Sequence, residues 1–174
     1  MRKMIGAAAA MAVAITVAAG CRDEPRRVVT AGKQYRNETQ AKQTIALPDS
    51  STVILAPGAN IGLAVGFSSR KEVSLDGEAW FDIVHAPLAL QTRDMVVEVL
   101  SASRFHAEAF RARPGEEIDL LEGSIRAKKS YHSDTDNEPE MLGTGDMVMI
   151  NRDIDLMEKE KLNPAELDKL KAAW

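Results

Sequence analysis

Most of the chain after Lys42 follows one pattern, an alternation of apolar and polar residues with a period of two. Successive side chains of a β-strand point to opposite faces of a sheet, so this period predicts short strands that each bury one face. Stretches rich in Pro, Gly, Asp and Ser, which form tight turns, separate the runs at 48–51, 56–60, 76–77, 113–115 and 122–123. Strands at this spacing predict an all-β fold, such as a sandwich, a barrel or a coil, rather than βαβ units. The alternating apolar residues are Ile45 and Leu47, Val53 and Leu55, Val73 and Leu75, Ala79, Phe81 and Ile83, Val97 and Val99, Ile118 and Leu120, and Ile125 and Ala127.

The stretch SLDGEAWFDIV, residues 74–84, places an acidic turn signal between two alternating runs. Glycine adopts positive φ at no steric cost, which predicts a tight turn at Asp76-Gly77. Glu78 is then expected to begin the next strand. This interpretation favours a structural role for the Gly77-Glu78 pair over a catalytic one.

The first 21 residues, MRKMIGAAAAMAVAITVAAGC, have the form of an export signal. Two cations, Arg2 and Lys3, precede a charge-free apolar run from Met4 to Ala19. A helix that rises about 1.5 Å per residue needs about 20 apolar residues to cross a bilayer, and this run is shorter. A signal peptide is therefore favoured over a permanent transmembrane helix.

The chain has one cysteine, Cys21, which stands where the apolar run ends, behind Ala18, Ala19 and Gly20. This segment resembles a bacterial lipobox. The resemblance implies removal of residues 1–20 and a lipid anchor of acyl chains such as palmitate on Cys21, on the periplasmic side of the envelope. An ordinary secretory signal with an incidental cysteine is the alternative. By resemblance to lipoprotein sorting rules, Arg22 favours the outer over the inner membrane, and residues 21–28 form the lipidated cysteine and a short tether.

Composition and residue spacing argue against several functional classes. Asp and Glu outnumber Lys and Arg by 26 to 22, and aromatic residues are only 5%, so a nucleic-acid surface is not supported. The histidines His85, His106 and His132 form no known ligand spacing. His106 and Glu108 could share a strand face and bind a metal, but a solvated pair is favoured. We predict no catalytic, cofactor-binding or metal-binding residue and a non-enzymatic protein, with an envelope hydrolase that depends on His106 or Glu108 as the disfavoured alternative.

The C-terminal third contains a polar loop and a helix signal. Residues 130–140, SYHSDTDNEPE, are expected to form a solvated hairpin excursion, because they lack apolar residues beyond Tyr131. Asn163-Pro164 predicts a helix start, with Asn as the cap and Pro in the first turn. Leu167, Leu170 and Trp174 would then share one apolar face, and a helix this short needs a surface to pack against.

Five blocks in order resemble the FecR domain, a family of periplasmic sensor and regulator domains of cell-surface signalling. They are TIALPDSSTVILAPGANI, RKEVSLDGEAWFDIV, VEVLSASRFHAEAF, IDLLEGSIRAKK and LGTGDMVMI, and the resemblance covers about residues 29–151. The chain departs from the family at Ser101-Ala102-Ser103, where members commonly have Gly-Thr and this chain has an apparent extra residue. It also has a lipobox in place of an N-terminal anti-sigma segment, so we do not expect it to bind a sigma factor directly.

The resemblance implies an all-β, twisted, solenoid-like stack of short strands over residues 29–151, followed by a linker and an amphipathic C-terminal helix over 152–174. It also implies a protein that senses or regulates iron-uptake-type, sigma/anti-sigma-linked signalling by contact with an envelope protein, such as a TonB-dependent receptor. A structural envelope lipoprotein without a signalling role is the alternative. The residues proposed for partner binding, from their placement alone, are Arg70, Glu78, Glu122, Leu167, Leu170 and Trp174.

Overall fold

The computed structural model describes residues 31–174, so the predicted signal, Cys21 and the tether lie outside the described residues. The described part is mostly β-strand with one short C-terminal α-helix, as the sequence predicts. The strands are β1 (Ala31–Arg36), β2 (Gln43–Ala46), β3 (Thr52–Leu55), β4 (Asn60–Ala64), β5 (Glu72–Ile83), β6 (Leu88–Gln91), β7 (Met95–Val99), β8 (Ser103–Ala109), β9 (Gly115–Glu122), β10 (Ser124–Lys129), β11 (Glu140–Gly143), β12 (Asp146–Asn151) and β13 (Leu156–Lys161). The helix is α1 (Pro164–Ala172), and a turn of 3₁₀ helix covers Arg152–Ile154.

The long strand β5 belongs to two sheets. Its first half, residues 72–76, pairs with β4 and β6, and its second half, residues 77–83, pairs with β3 and β8. Sheet I has the order β1-β4-β5-β6-β7-β10-β11, and sheet II has the order β2-β3-β5-β8-β9-β12-β13. Every strand pair in residues 31–174 is antiparallel except β5–β6. Together they form a nearly closed, barrel-like sheet, and the solenoid-like stacking is not confirmed.

Gly77 lies inside β5, at the point where the strand passes from sheet I to sheet II. The prediction of a tight turn at Asp76-Gly77 is therefore wrong, and Glu78 lies within the strand rather than at its start. The positive φ is confirmed, at 122°. A Cβ at this position would lie 2.7 Å from the Cα of Ala59, so the close approach of the β3–β4 connection also requires glycine.

The core lies between the inner faces of the two sheets. The alternating residues of the sequence supply it: Val53, Phe81 and Ile118 of sheet II are fully buried, as are Val73 and Val97 of sheet I. The rings of Phe81 and Phe105 stack with centroids 4.7 Å apart across β5 and β8. Burial of a large apolar side chain contributes about 1.5–3 kcal/mol, so these inward rows account for the stability of the fold.

The segment after β12 was expected to be a linker, but residues 156–161 form β13 at the edge of sheet II. Its sequence LMEKEK is mostly charged, because an edge strand has little side-chain surface to bury and is stabilised by its backbone pairing with β12. Asp155, at the start of this strand, accepts hydrogen bonds from Lys129, Tyr131, Ser133 and Thr135. The loop after β10 is thus attached at its base, while most of residues 134–139 are exposed as predicted.

Helix α1 begins as the sequence predicts. The side chain of Asn163 accepts a hydrogen bond from the backbone N–H of Glu166. The carboxylate of Glu166 accepts one from the backbone N–H of Asn163, which completes a capping box. The helix contacts β9 of sheet II, and Leu167 and Leu170 are half-buried. No helix in residues 31–174 has the length and apolar character needed to cross a membrane.

Candidate functional site

The outer face of sheet II is formed by the side chains that alternate with its core residues. Two rows of these side chains cross neighbouring strands, as the register of β5, β8, β9, β12 and β13 dictates. The first row consists of Trp80, His106, Asp119, Met147 and Glu160, and the second row of Glu78, Glu108, Glu117, Met149 and Glu158. The second row places three glutamates directly opposite one another on three adjacent strands.

His106 lies between two carboxylates. Its Nδ1 is 2.9 Å from Oδ2 of Asp119, and its Nε2 is 3.1 Å from Oε1 of Glu78. The side chains of His106 and Asp119 are only 7% and 2% exposed. A neutral imidazole carries one N–H, so both contacts are hydrogen bonds only when the ring is protonated.

The charges around His106 stabilise that protonated form. Burial by itself lowers the pKa of His106, but the hydrogen bonds and charges of Asp119 and Glu78 outweigh it, and the pKa is raised from its usual value. The site is thus built around an imidazolium that two carboxylates share.

Glu117 extends this cluster on β9. Burial, the charge of Asp119 and the charge of Glu108 raise the pKa of Glu117 to about 7. A hydrogen bond between the side chains of Glu117 and Asp119 also favours the protonated form of Glu117. Glu78, His106, Asp119 and Glu117 therefore form one continuous chain of interacting side chains across three strands.

The other end of the first row is covered by residues near both ends of the described chain. Trp80 is 5% exposed and its ring lies 4.9 Å from that of His106. The Nζ atom of Lys42 lies 3.5 Å from the Trp80 ring centroid and donates a hydrogen bond to the backbone oxygen of Ala173. The guanidinium of Arg104 lies 4.2 Å from the ring of Trp174. Lys42 and Arg104, each through a cation–π contact, thus link the residues that follow α1 to sheet II.

The partner-binding residues proposed from the sequence lie in different places. Arg70 is exposed in the connection before β5 and pairs with Glu72. Glu122 is exposed at the end of β9, 3.8 Å from Arg104. Glu78 is the one that belongs to the His106 cluster. Nothing in the fold brings Arg70 and Glu122 together with Glu78.

The three apolar residues proposed on the helix, Leu167, Leu170 and Trp174, are half-buried. Since α1 packs against β9 and Trp174 contacts Arg104, part of this face is used within the molecule. The surface that the helix was expected to need is therefore sheet II.

The prediction that His106 and Glu108 form a solvated pair is wrong, because His106 is buried. The two residues do share a strand face, but Glu108 forms an ion pair with Arg113 rather than with His106. Within residues 31–174, no group of three or more His, Cys, Asp or Glu side chains is placed to hold a metal ion.

Sequence analysis missed Asp119, Glu117 and Trp80 as members of this cluster. The signal was present, because Glu117 and Asp119 alternate with core residues of β9 as His106 and Glu108 do in β8. It could have been interpreted only with the pairing of β8 and β9 in hand, since each strand alone looks like an ordinary polar face.

Comparison with known proteins identifies the fold only. No protein-family model and no curated protein matches this chain. Two of the crystal structures that match are each described as a "putative anti-sigma factor from Parabacteroides distasonis". The first, at 2.50 Å resolution, matches with a TM-score of 0.67 and 18% identity over 78% of this chain and 62% of that chain. The second, at 1.65 Å, matches with a TM-score of 0.68 and 17% identity over 80% and 64%. The chain thus spans less than two thirds of either protein and shares their fold.

Proposed function

We propose that this protein is a FecR-like envelope lipoprotein that regulates cell-surface signalling through contact with another envelope protein. The observation that carries the proposal is the fold that it shares, over about four fifths of the chain, with two proteins each described as a "putative anti-sigma factor". The lipobox at Cys21 supports a position at the periplasmic side of the envelope.

The blocks that resemble the FecR domain contact one another in the folded protein, which agrees with this proposal. In the LPDSS turn, Asp49 pairs with Lys71 at 3.0 Å, and the hydroxyl of Ser51 accepts a hydrogen bond from the backbone of Val84. These contacts join the first block to both ends of the second. Asp49, Lys71 and Ser51 maintain the fold, so recognition of a partner is assigned to other residues.

A second pair of blocks meets at Gly123, which has a φ of 102°. A side chain there would overlap Ser103, which stands in the segment where this chain departs from the family pattern. The register of β8 and β9 is irregular close by, between Arg104 and Phe105. Arg104 pairs with Glu122 and Phe105 pairs with Leu120, so the extra residue of this β-bulge is Leu121 of β9, and the strands on either side keep their pairing.

Expression profiling after deletion of the gene tests the proposed function. A signalling regulator predicts a coordinated change in one regulon, reversed by the wild-type gene. Replacement by Cys21→Ser should reproduce the deletion, since the unlipidated chain would leave the membrane; fractionation and labelling with radioactive palmitate check that step. Altered envelope integrity without any coordinated change in expression would contradict the proposal and favour the structural lipoprotein.

A further inference from the structure

The second row of outer-face side chains on sheet II concentrates like charges. Glu78 lies directly opposite Glu108, and Glu108 lies directly opposite Glu117. Like charges at directly opposed positions of a sheet are destabilising, by up to about 1 kcal/mol per pair. Folding does not require this arrangement, because neutral polar residues would satisfy the same partly exposed positions.

Strand β13 continues the acidic surface because its glutamates and its lysines lie on opposite faces of the sheet. Glu158 and Glu160 stand opposite Met149 and Met147, on the outer face, whereas Lys159 and Lys161 stand opposite core-facing positions of β12. Lys159 pairs with Glu140, and Lys161 pairs with Asp146. Within residues 31–174, no basic side chain forms an ion pair with Glu158 or Glu160. The lysines of the strand are thus ion-paired, whereas its two glutamates are not.

The basic groups in contact with the rest of this surface are already engaged. His106 is shared by Glu78 and Asp119, and Arg113 pairs with Glu108. Ionised Glu117 would leave the half-buried part of the surface with a negative charge in excess. The raised pKa of Glu117 reports the same imbalance, since burial and its acidic neighbours disfavour ionisation.

Asp119 supplies an observation separate from the count of charges. Its side chain is 2% exposed, and its Oδ1 atom is buried without a hydrogen-bond partner. A buried acceptor without a donor costs about 1–3 kcal/mol. No donor within the cluster is placed against Oδ1, which therefore favours a donor brought from outside.

We infer that this acidic face of sheet II, beside α1, is the docking surface for an extended, lysine- or arginine-rich segment of a partner protein. Neighbouring strands lie about 4.8 Å apart, so the row from Glu78 on β5 to Glu158 on β13 extends for about 19 Å. An extended segment of about six residues, at about 3.3 Å each, covers that length and presents alternate side chains to the face. The surface deepens the proposed function by naming the chemistry of the partner.

The chemistry of the face selects this occupant over others. No group of carboxylates in residues 31–174 is close enough for a metal ion, so the charge is spread as a linear partner requires. Nucleic acid and anionic lipid head groups would both be repelled. Electrostatic complementarity of this kind steers association and makes it sensitive to salt.

Binding of a defined peptide tests the surface directly. The probe is a fluorescent peptide of alternating lysine and serine, and a peptide of alternating glutamate and serine is the control; the full chain is kept in a non-ionic detergent. Fluorescence anisotropy should detect the lysine peptide and not the glutamate peptide, with affinity that falls as salt rises from about 20 to about 200 mM.

The sequence of β13 provides a matched pair of variants. Glu158→Gln with Glu160→Gln removes two exposed charges from the outer face and should weaken binding about fivefold at low salt. Lys159→Gln with Lys161→Gln removes two charges from the same strand and should leave binding unchanged or tighter. Circular dichroism confirms that both variants are folded.

Two outcomes would overturn the inference: a wild-type protein that does not discriminate the two peptides, or equal affinities of the two double variants. These outcomes are separate from failure of the proposed function. Peptide binding with the expected pattern, together with a deletion that alters no regulon, would contradict the signalling proposal but would still support the docking surface.

Discussion

The outer faces of the two sheets differ in the arrangement of their charged side chains, although both sheets contain part of strand β5. On sheet I, the neighbouring side chains Arg126 of β10 and Glu98 of β7 form an ion pair, so opposite charges cancel across the strands. On sheet II, Glu78, Glu108 and Glu117 stand opposite one another, and a buried histidine holds two carboxylates together. The charges of this pair on sheet I are balanced, whereas sheet II is left with excess negative charge, and we therefore propose sheet II as the docking face.

The largest expected effect is on the His106 cluster of sheet II. His106→Ala leaves Asp119 buried without its partner, and loss of one member of a buried ion pair costs about 3–5 kcal/mol. We expect the free energy of unfolding, measured by urea titration, to fall by about 3 kcal/mol. An effect below about 1 kcal/mol would show that Asp119 does not depend on the imidazolium.

The junction between the two sheets comes next. Gly77→Ala requires a side chain at a φ of 122° and within 2.7 Å of Ala59, which should cost about 2–3 kcal/mol. Gly58→Ala is the control, because Gly58 also has a positive φ, of 80°, but has no atom within 4 Å of the added methyl group. It should cost about 1 kcal/mol. Equal losses for the two variants in urea unfolding would remove the steric role given to Gly77.

The excess charge of sheet II should appear in the pH dependence of stability. The pKa of Glu117 is about 7 in the folded protein, against 4.5 for an unperturbed glutamate, so the folded state binds this proton more tightly. Stability from this group is fully present below about pH 4.5 and is lost as pH rises to about 7. The raised pKa of His106 acts in the same direction, since its contribution is lost as pH rises through the folded value.

Glu117→Gln isolates that effect. At pH 8 the variant should be more stable than the wild type by about 1–2 kcal/mol, a figure discounted because the carboxyl is half exposed to solvent. At pH 4 the two should be nearly equal. Urea unfolding at both pH values measures the difference, and an equal effect at pH 4 and pH 8 would show that the ionisation of Glu117 is not its cause.

The smallest effect is expected on sheet I. Arg126→Gln removes an ion pair with Glu98 in which both side chains are partly exposed, at 43% and 31%. Such pairs contribute up to about 1 kcal/mol and are screened by salt. Thermal unfolding should therefore change little, and a loss as large as that of His106→Ala would erase the distinction between the two faces.

The sequence predicted the β class and the core because these depend on local alternation. Val53, Phe81 and Ile118 were placed in the core by period alone, and the helix start at Asn163 by its cap. Two local predictions went wrong for one reason, which is that pairing overrode local signals. Gly77 resembles a turn residue, but the sheets on either side keep β5 continuous, and the charged β13 was mistaken for a linker.

The candidate site could be predicted only in part. His106 and Glu108 share a face as the period of β8 implies, and Glu78 was singled out for its placement. The partners Asp119 and Glu117 lie on another strand, and only the register of β8 against β9 brings them within reach. A site built across strands therefore depends on register, which a single sequence does not determine where both faces carry polar residues.

The most direct test of the account is expression profiling of strains that carry the paired β13 variants in place of the wild-type gene. The account predicts that Glu158→Gln with Glu160→Gln changes the same regulon as the complete deletion, because the docking surface is lost while the protein stays folded and anchored. Lys159→Gln with Lys161→Gln should leave that regulon at its wild-type level. A deletion phenotype that neither variant reproduces, or that both reproduce equally, would contradict regulation through the acidic face of sheet II.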